Sequence, residues 1–248
     1  METSTFYFGT INLADLFMVA FLFLSWLGSG WITEHPPAGR PSASVLMKDY
    51  RREWMRQFIT RDPRMFDANI LTTLREGTAF FASACLIAVG GALAMVGNVE
   101  QISVMARQLE LGQVPALVLE IKIVLVLFFV ANALLRFVWA HRLFGYCAIL
   151  MAAVPNDVTD PRCMPTAMQA AEINITAARS FNSGLRCVYF ALASLGWLAG
   201  PIGLFVTTAY VLVISWRREF ASNSRRIILA SHPARMQPGD SQRGHPGQ

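Results

Sequence analysis

Residues 77–97 read GTAFFASACLIAVGGALAMVG, 21 consecutive positions without a charged side chain. At about 1.5 Å per residue a helix of that length covers about 30 Å, the thickness of the hydrocarbon core of a bilayer. Lipid offers backbone groups no water to bond with, so such a stretch rests there only as a helix that pairs them internally. Three more runs have the same character. Residues 13–32 are 20 positions with one charge, Asp15, close to the start. Residues 114–139 carry Glu120 and Lys122 in their first third and Arg136 near their end, where long side chains can snorkel toward an interface. Residues 187–216 run 30 positions with no charge, or about 45 Å if continuous, half as long again as the hydrocarbon is thick.

Gly200-Pro201, near the middle of that last run, offers a break. A re-entrant hairpin there would leave two arms of about 13 to 16 residues, short of the roughly 17 needed to cross. A single kinked or tilted segment is therefore the preferred reading, with the side of the C-terminus left open. The expected architecture is all-α: a polytopic membrane bundle of about four transmembrane helices (13–32, 77–97, 114–139 and 187–216) in one domain, residues 1–230, with a disordered Pro/Gly/Ser/Gln tail at 231–248. Ala84, Ala88 and Ala92 form a small-residue line that would let a neighbouring helix approach, which places the second segment inside the bundle.

Composition agrees with lipid as the solvent. Hydrophobic residues make up 54% of the 248 and charged residues only 15%, against about a quarter in ordinary soluble domains. The net charge is +5, and no basic stretch interleaves with aromatics as a nucleic-acid platform would, so membrane surface is the expected partner and nucleic acid is not. The four cysteines, Cys85, Cys147, Cys163 and Cys187, are widely spaced without a C-x-x-C pair, which gives neither a disulfide framework nor a metal site. Residues 1–10 hold an acid, Glu2, and no basic residue, so the first segment is expected to remain attached rather than act as a cleaved signal.

Between the first two runs, a Pro/Gly cluster at 35–41 precedes an amphipathic pattern. Met47, Tyr50, Trp54 and Phe58 fall on one helical face and Lys48, Arg52 and Arg56 on another, the pattern of a cytoplasmic surface helix on anionic lipid. Between the last two runs lie a short apolar patch, 143–154, too brief to span, and a polar helix near 166–186. That helix carries Gln169, Glu172, Asn174, Arg179, Asn182 and Arg186. It either lines a cytoplasmic vestibule or is a solvated helix packed on loop one. Eight basic residues in the first loop and five from Arg136 to Arg186, against Arg107 alone in the second loop, place loops one and three in the cytoplasm of a bacterial inner-membrane protein with its N-terminus outside. Four simple spans would then put six C-terminal arginines outside, against the same rule.

Ionisable groups inside a span are costly and often mark function, so Asp15, Glu120, Lys122, Asn132 and Arg136 are the candidate polar positions. Glu120 and Lys122, two apart, point to different faces, whereas Asp15 and Lys122 both lie near the outer leaflet and can pair. Plain interface placement is the competing reading for each. H-E-x-x-H, G-x-x-x-x-G-K-[ST], G-x-S-x-G and G-x-G-x-x-G are all missing, and the four histidines are scattered. The chain is accordingly read as no enzyme, with no catalytic residue, cofactor or metal.

RMFDANILTTL at 64–74, FFAS at 80–83, FGY at 144–146 and AAVP at 152–155 lead on to FNSGLR at 181–186, YFALA at 189–193, Gly196-Trp197, Gly200-Pro201 and RREF at 217–220. In this order and spacing, over about residues 12–222, the chain resembles the domain-of-unknown-function 599 family of bacterial and plant membrane proteins. The resemblance implies a four-helix membrane architecture and carries over no catalytic residue. Two functions stand level: a small-solute or ion transport component, which would need a homo-oligomer because four helices enclose little pore, and a non-catalytic scaffold or partner-binding protein. An intramembrane enzyme is third. Transport requires the candidate polar residues to share one cavity; a scaffold lets them scatter.

Overall fold

In a computed structural model, which describes residues 12–37, 40–101 and 115–230, the first apolar run forms α1 (Leu13–Glu34). Asp15, in its first turn, accepts the backbone N–H of Asn12 at 3.1 Å and so satisfies a donor that the helix leaves unpaired. Ser42 caps α2 (Ala43–Thr60): its hydroxyl accepts from the Val45 N–H at 3.2 Å and donates to the Thr33 carbonyl at 2.9 Å, tying α2 to the end of α1. Then come α3 (Met65–Gly97), α4 (Ala116–Ala152) and α5 (Cys163–Leu195). A 3-10 turn (Gly196–Ala199) leads to α6 (Pro201–Phe220) and the short α7 (Asn223–Ala230). The described residues contain no strand, and three of the helices, α1, α3 and α4, are long and apolar enough to cross a membrane. Arg107 and the tail at 231–248 lie outside the described residues.

Paired side chains fix the directions. α4 and α5 lie antiparallel along their whole length: the Cys147 thiol meets the Ala170 carbonyl at 3.4 Å, Phe137 meets Phe181 with ring centroids 5.4 Å apart, and Phe129 meets Phe190 at 6.2 Å. On the other side of α4, α3 runs antiparallel to it through Thr78–His141 (3.2 Å) and Phe81–Phe137 (5.3 Å). α1 packs on α5 and α6, with Phe21 on Phe205 of α6, and its Phe23 and Trp26 reach across to Phe129 of α4.

Past Gly196 the chain reverses. The Thr207 hydroxyl of α6 donates to the Ala193 carbonyl of α5 at 2.7 Å, and farther along Arg218 donates to the Tyr189 hydroxyl. Gly200 makes the corner at φ 93°, a conformation that side chains resist, and Pro201 starts α6 where its missing N–H costs nothing. The two helices touch at Gly196, where an added Cβ would come within 2.3 Å of the Thr207 hydroxyl. The single kinked segment over 187–216 is thus replaced by the end of α5, the 3-10 turn and a returning α6. The arms are not short, because α5 is continuous with the polar helix upstream and has 33 residues, while α6 has 20, about 30 Å.

Other expectations change for related reasons. The apolar patch at 143–154 is largely the end of α4, whose buried Leu143, Phe144, Cys147 and Met151 pack against α2 and α5. The apolar side of α2 also faces protein: Met55, Phe58 and Ile59 are buried in that same cluster, and two members of the basic row are paired, Arg52 with Glu172 (2.7 Å) and Asp49 (3.1 Å), Arg56 with Glu53 (3.1 Å). The small-residue line of α3 does not lie inside the bundle, since Ala84 and Ala88 are exposed along with Leu86, Ile87 and Leu93.

Candidate functional site

Two polar clusters sit at opposite ends of the bundle. At the end where α5 turns into α6, Asp15, Lys122 and Trp197 are all buried. The Trp197 indole N–H donates to Asp15 Oδ1 at 2.6 Å, and Lys122 Nζ stands over the same ring, 5.7 Å from its centroid. Asp15 and Lys122, expected to be able to pair, form no direct ion pair among the described residues; each instead meets the same tryptophan. Trp197 belongs to the 3-10 turn, so the cluster joins α1 and α4 to the corner of the hairpin.

The remaining candidates do not join it. Glu120, two residues before Lys122, points to another face of α4 and is half-buried. Asn132 donates from its amide to the Phe128 carbonyl of its own helix at 2.8 Å. Arg136 lies toward the opposite end, where its backbone carbonyl accepts from the Ser180 hydroxyl at 3.0 Å. Between the ends the interior is filled: Phe129, Phe137 and Phe190 are fully buried.

The second cluster surrounds a cavity of about 310 Å³ where the ends of α1 and α6, the start of α2 and the polar half of α5 converge. Lys48, Arg51, Arg179 and Arg186 line it together with two carboxylates, Glu34 and Glu219. The acids are already engaged. Glu219 accepts from the Ser44 hydroxyl at 2.9 Å and the Ser44 N–H at 3.3 Å, and Glu34 stands 3.9 Å from Arg179. Arg51 reaches the side-chain carbonyl of Asn174, which is fully buried, and burial holds the Arg51 guanidinium below the ordinary arginine pKa. Arg186 makes one long bond, Nη1 to the Ser29 carbonyl at 3.5 Å. Among the described residues neither arginine has a carboxylate within ion-pair distance. Guanidinium groups withdrawn from water with donors to spare fit a phosphate or carboxylate, which they can hold in bidentate fashion.

Arg179, Asn182 and Arg186 were visible in the sequence as the polar helix, which both packs on α2 and lines this cavity. Of its partners, Lys48 read as part of a surface basic face and Arg51 only as one of the basic residues of the first loop, because 123 positions separate Arg51 from its contact Asn174. Among the described residues no group of three or more His, Cys, Asp or Glu is placed to hold a metal ion, and the four cysteines are free and buried.

No curated protein and no solved structure matches the chain. A family match covers residues 17–224 of the 248, under the description protein of unknown function, DUF599. With the helical order, the Gly200-Pro201 corner and the Phe181–Arg186 stretch all inside that match, the chain belongs to the DUF599 family.

Proposed function

We propose that this chain is a non-catalytic integral protein of the bacterial inner membrane that binds an anionic ligand in the basic cavity at its cytoplasmic end. The observation that carries this reading is the pair Arg51 and Arg186, withdrawn into one cavity in which, among the described residues, neither has a carboxylate within ion-pair distance and Glu34 and Glu219 are outnumbered by four cations. Keeping two such cations together costs stability unless something negative visits them.

The proposed topology has five crossings, α1, α3, α4, α5 and α6. That count puts the N-terminus outside and the α2 end inside, and it gathers eight basic residues at 40–75, five at 136–186 and six at 217–243 on the cytoplasmic side, against Arg107 outside. The six C-terminal arginines that a four-span reading leaves on the wrong side then obey the rule. Transport is the weaker reading, because Glu120, Asn132 and Arg136 do not join Asp15 and Lys122 in one cavity and aromatic rings fill the interior between the two ends.

The test is thermal unfolding of the purified protein in a non-ionic detergent, titrated with pyrophosphate at constant ionic strength. A ligand at a hundred times its Kd stabilises by about 2.7 kcal/mol, which is readily resolved. Arg51→Gln and Arg186→Gln should abolish the stabilisation while Lys122→Gln, at the far end, keeps it. A wild-type melting temperature indifferent to pyrophosphate would overturn the reading.

A further inference from the structure

The basic cavity does not end at its polar walls. Through Thr33, Asn182, Arg186 and Glu219 it shares its lining with a smaller space of about 140 Å³ between α1, α5 and α6. Ser29, Thr33 and Ser215 in turn connect that space with a third, a crevice of about 520 Å³ between the diverging ends of α1 and α6. The chemistry changes along the way. The first space carries Lys48 and three arginines, and the middle one Arg186 and Arg218, whereas the crevice has one cation, Arg217, beside mainly apolar walls of Gly28, Ile32, Leu212, Val213, Trp216 and Phe220. Val213 is 64% exposed and Trp216 49%, so the crevice opens on the outer surface of two helices that the proposed topology surrounds with lipid. Where the two characters meet, the Ser215 hydroxyl is buried without a hydrogen-bond partner among the described residues. A buried donor left unmade costs free energy, and a carbonyl oxygen at that level would satisfy it.

Resting on the anion-binding reading above, we propose that the ligand is an anionic glycerolipid taken from the inner leaflet. Its phosphate lies between Arg51, Arg179 and Arg186, its ester region beside Ser215, and one acyl chain lies in the α1–α6 crevice. From Thr33 to Ser25 the crevice follows α1 for about 12 Å, enough for the first part of an acyl chain. A water-soluble anion would use the cavity and leave the apolar crevice empty; a zwitterionic lipid would fill the crevice and bring a cationic group to a site that already has an excess of positive charge. An anionic amphiphile matches both parts at once.

The full-length protein in dodecyl maltoside micelles doped with dioleoyl phosphatidylglycerol or dioleoyl phosphatidylcholine should retain one phosphatidylglycerol in native mass spectrometry and release the phosphatidylcholine. Gly28→Phe projects a ring into the crevice from a position where an added Cβ meets nothing within 4 Å, so the helix tolerates it. That variant should lose phosphatidylglycerol by about tenfold or more while its melting response to pyrophosphate persists; Val213→Trp, at an exposed wall, serves as the second block. Arg51→Gln with Arg186→Gln should lose both responses, and Arg51→Lys, which keeps the charge, should recover part of them. If both blocked variants hold phosphatidylglycerol like the wild type, or if phosphatidylcholine is held as tightly, the lipid assignment fails while the pyrophosphate response still supports the cavity. If the arginine variant leaves both responses unchanged, the cavity reading falls as well.

Discussion

Replacing Asp15 by alanine tests whether the buried Asp15–Trp197–Lys122 cluster holds the hairpin to the first helix. In the native protein both carboxylate oxygens are used, Oδ1 by the Trp197 indole N–H at 2.6 Å and Oδ2 by the Asn12 backbone N–H at 3.1 Å. Loss of the helix-start contact costs about 1 kcal/mol. Loss of a hydrogen bond to a charged acceptor, with its indole donor left buried, costs about 2 kcal/mol more. Lys122, only 8% exposed, also loses its nearest negative charge, so about 3 kcal/mol is a minimum. At 2 to 4 °C per kcal/mol for a chain of this size, the melting temperature should fall by about 6 to 12 °C. Asp15→Asn, which keeps one acceptor oxygen, should fall between the two. Thermal unfolding of the purified protein in non-ionic detergent, followed by tryptophan fluorescence, measures all of these. The double variant Asp15→Ala/Trp197→Phe should lose about 1 kcal/mol less than the two single losses summed, since neither partner is then left behind. A drop of less than 2 °C for Asp15→Ala, or strict additivity, would show that the cluster carries no structural weight.

Three further outcomes are expected. A cysteine at Ser224, which is exposed on α7, should react with a membrane-impermeant maleimide only after cells are permeabilised, and the four native cysteines, all buried, should contribute little background; labelling in intact cells would refute five crossings. Asp67→Ala should destabilise by about 3 kcal/mol in the same unfolding assay, because Asp67 is fully buried and accepts from Trp54 at 2.6 Å and Arg61 at 2.5 Å. Gly200→Ala, at φ 93°, should cost about 1 to 3 kcal/mol, and an unchanged melting temperature would mean that the corner relaxes without strain.

The apolar runs located three membrane-competent helices because the absence of charge is a direct requirement of hydrocarbon. They placed helix ends poorly for the same reason. α3 begins at Met65, well before the apolar run at 77, and α4 continues from Trp139 to Ala152, because a helix leaving lipid for protein and water only has to change its surface, not its backbone. The reversal at Gly200 was visible as a break but not as a turn. Its two-helix arms became evident only once the polar helix was joined to the run after Cys187. Among the candidate residues, Asp15 and Lys122 were legible because burying a charge in lipid demands a partner. Trp197 as the mediator was not, since nothing in an indole's sequence context announces a hydrogen bond. The basic cavity was legible only in halves: Arg179, Asn182 and Arg186 on one helix, Lys48 and Arg51 on another, with no local signal linking them.

The placement of α1 bears on how the protein is made. Its main neighbours are α5 and α6, the last long helices to be synthesised, and Asp15 finds Trp197 only after 182 further positions have been translated. Until then the first helix, long and apolar enough to rest in a bilayer, has only the Asn12 N–H of its own start to answer one oxygen of that carboxylate. Assembly closes on the newest part of the chain: the α5–α6 hairpin, arriving as a pair, slots in beside a helix that has waited since the start. A truncation that removes α6 would therefore loosen the first helix, rather than only the end of the chain, while its contacts with α5 and with Phe129 of α4 remain.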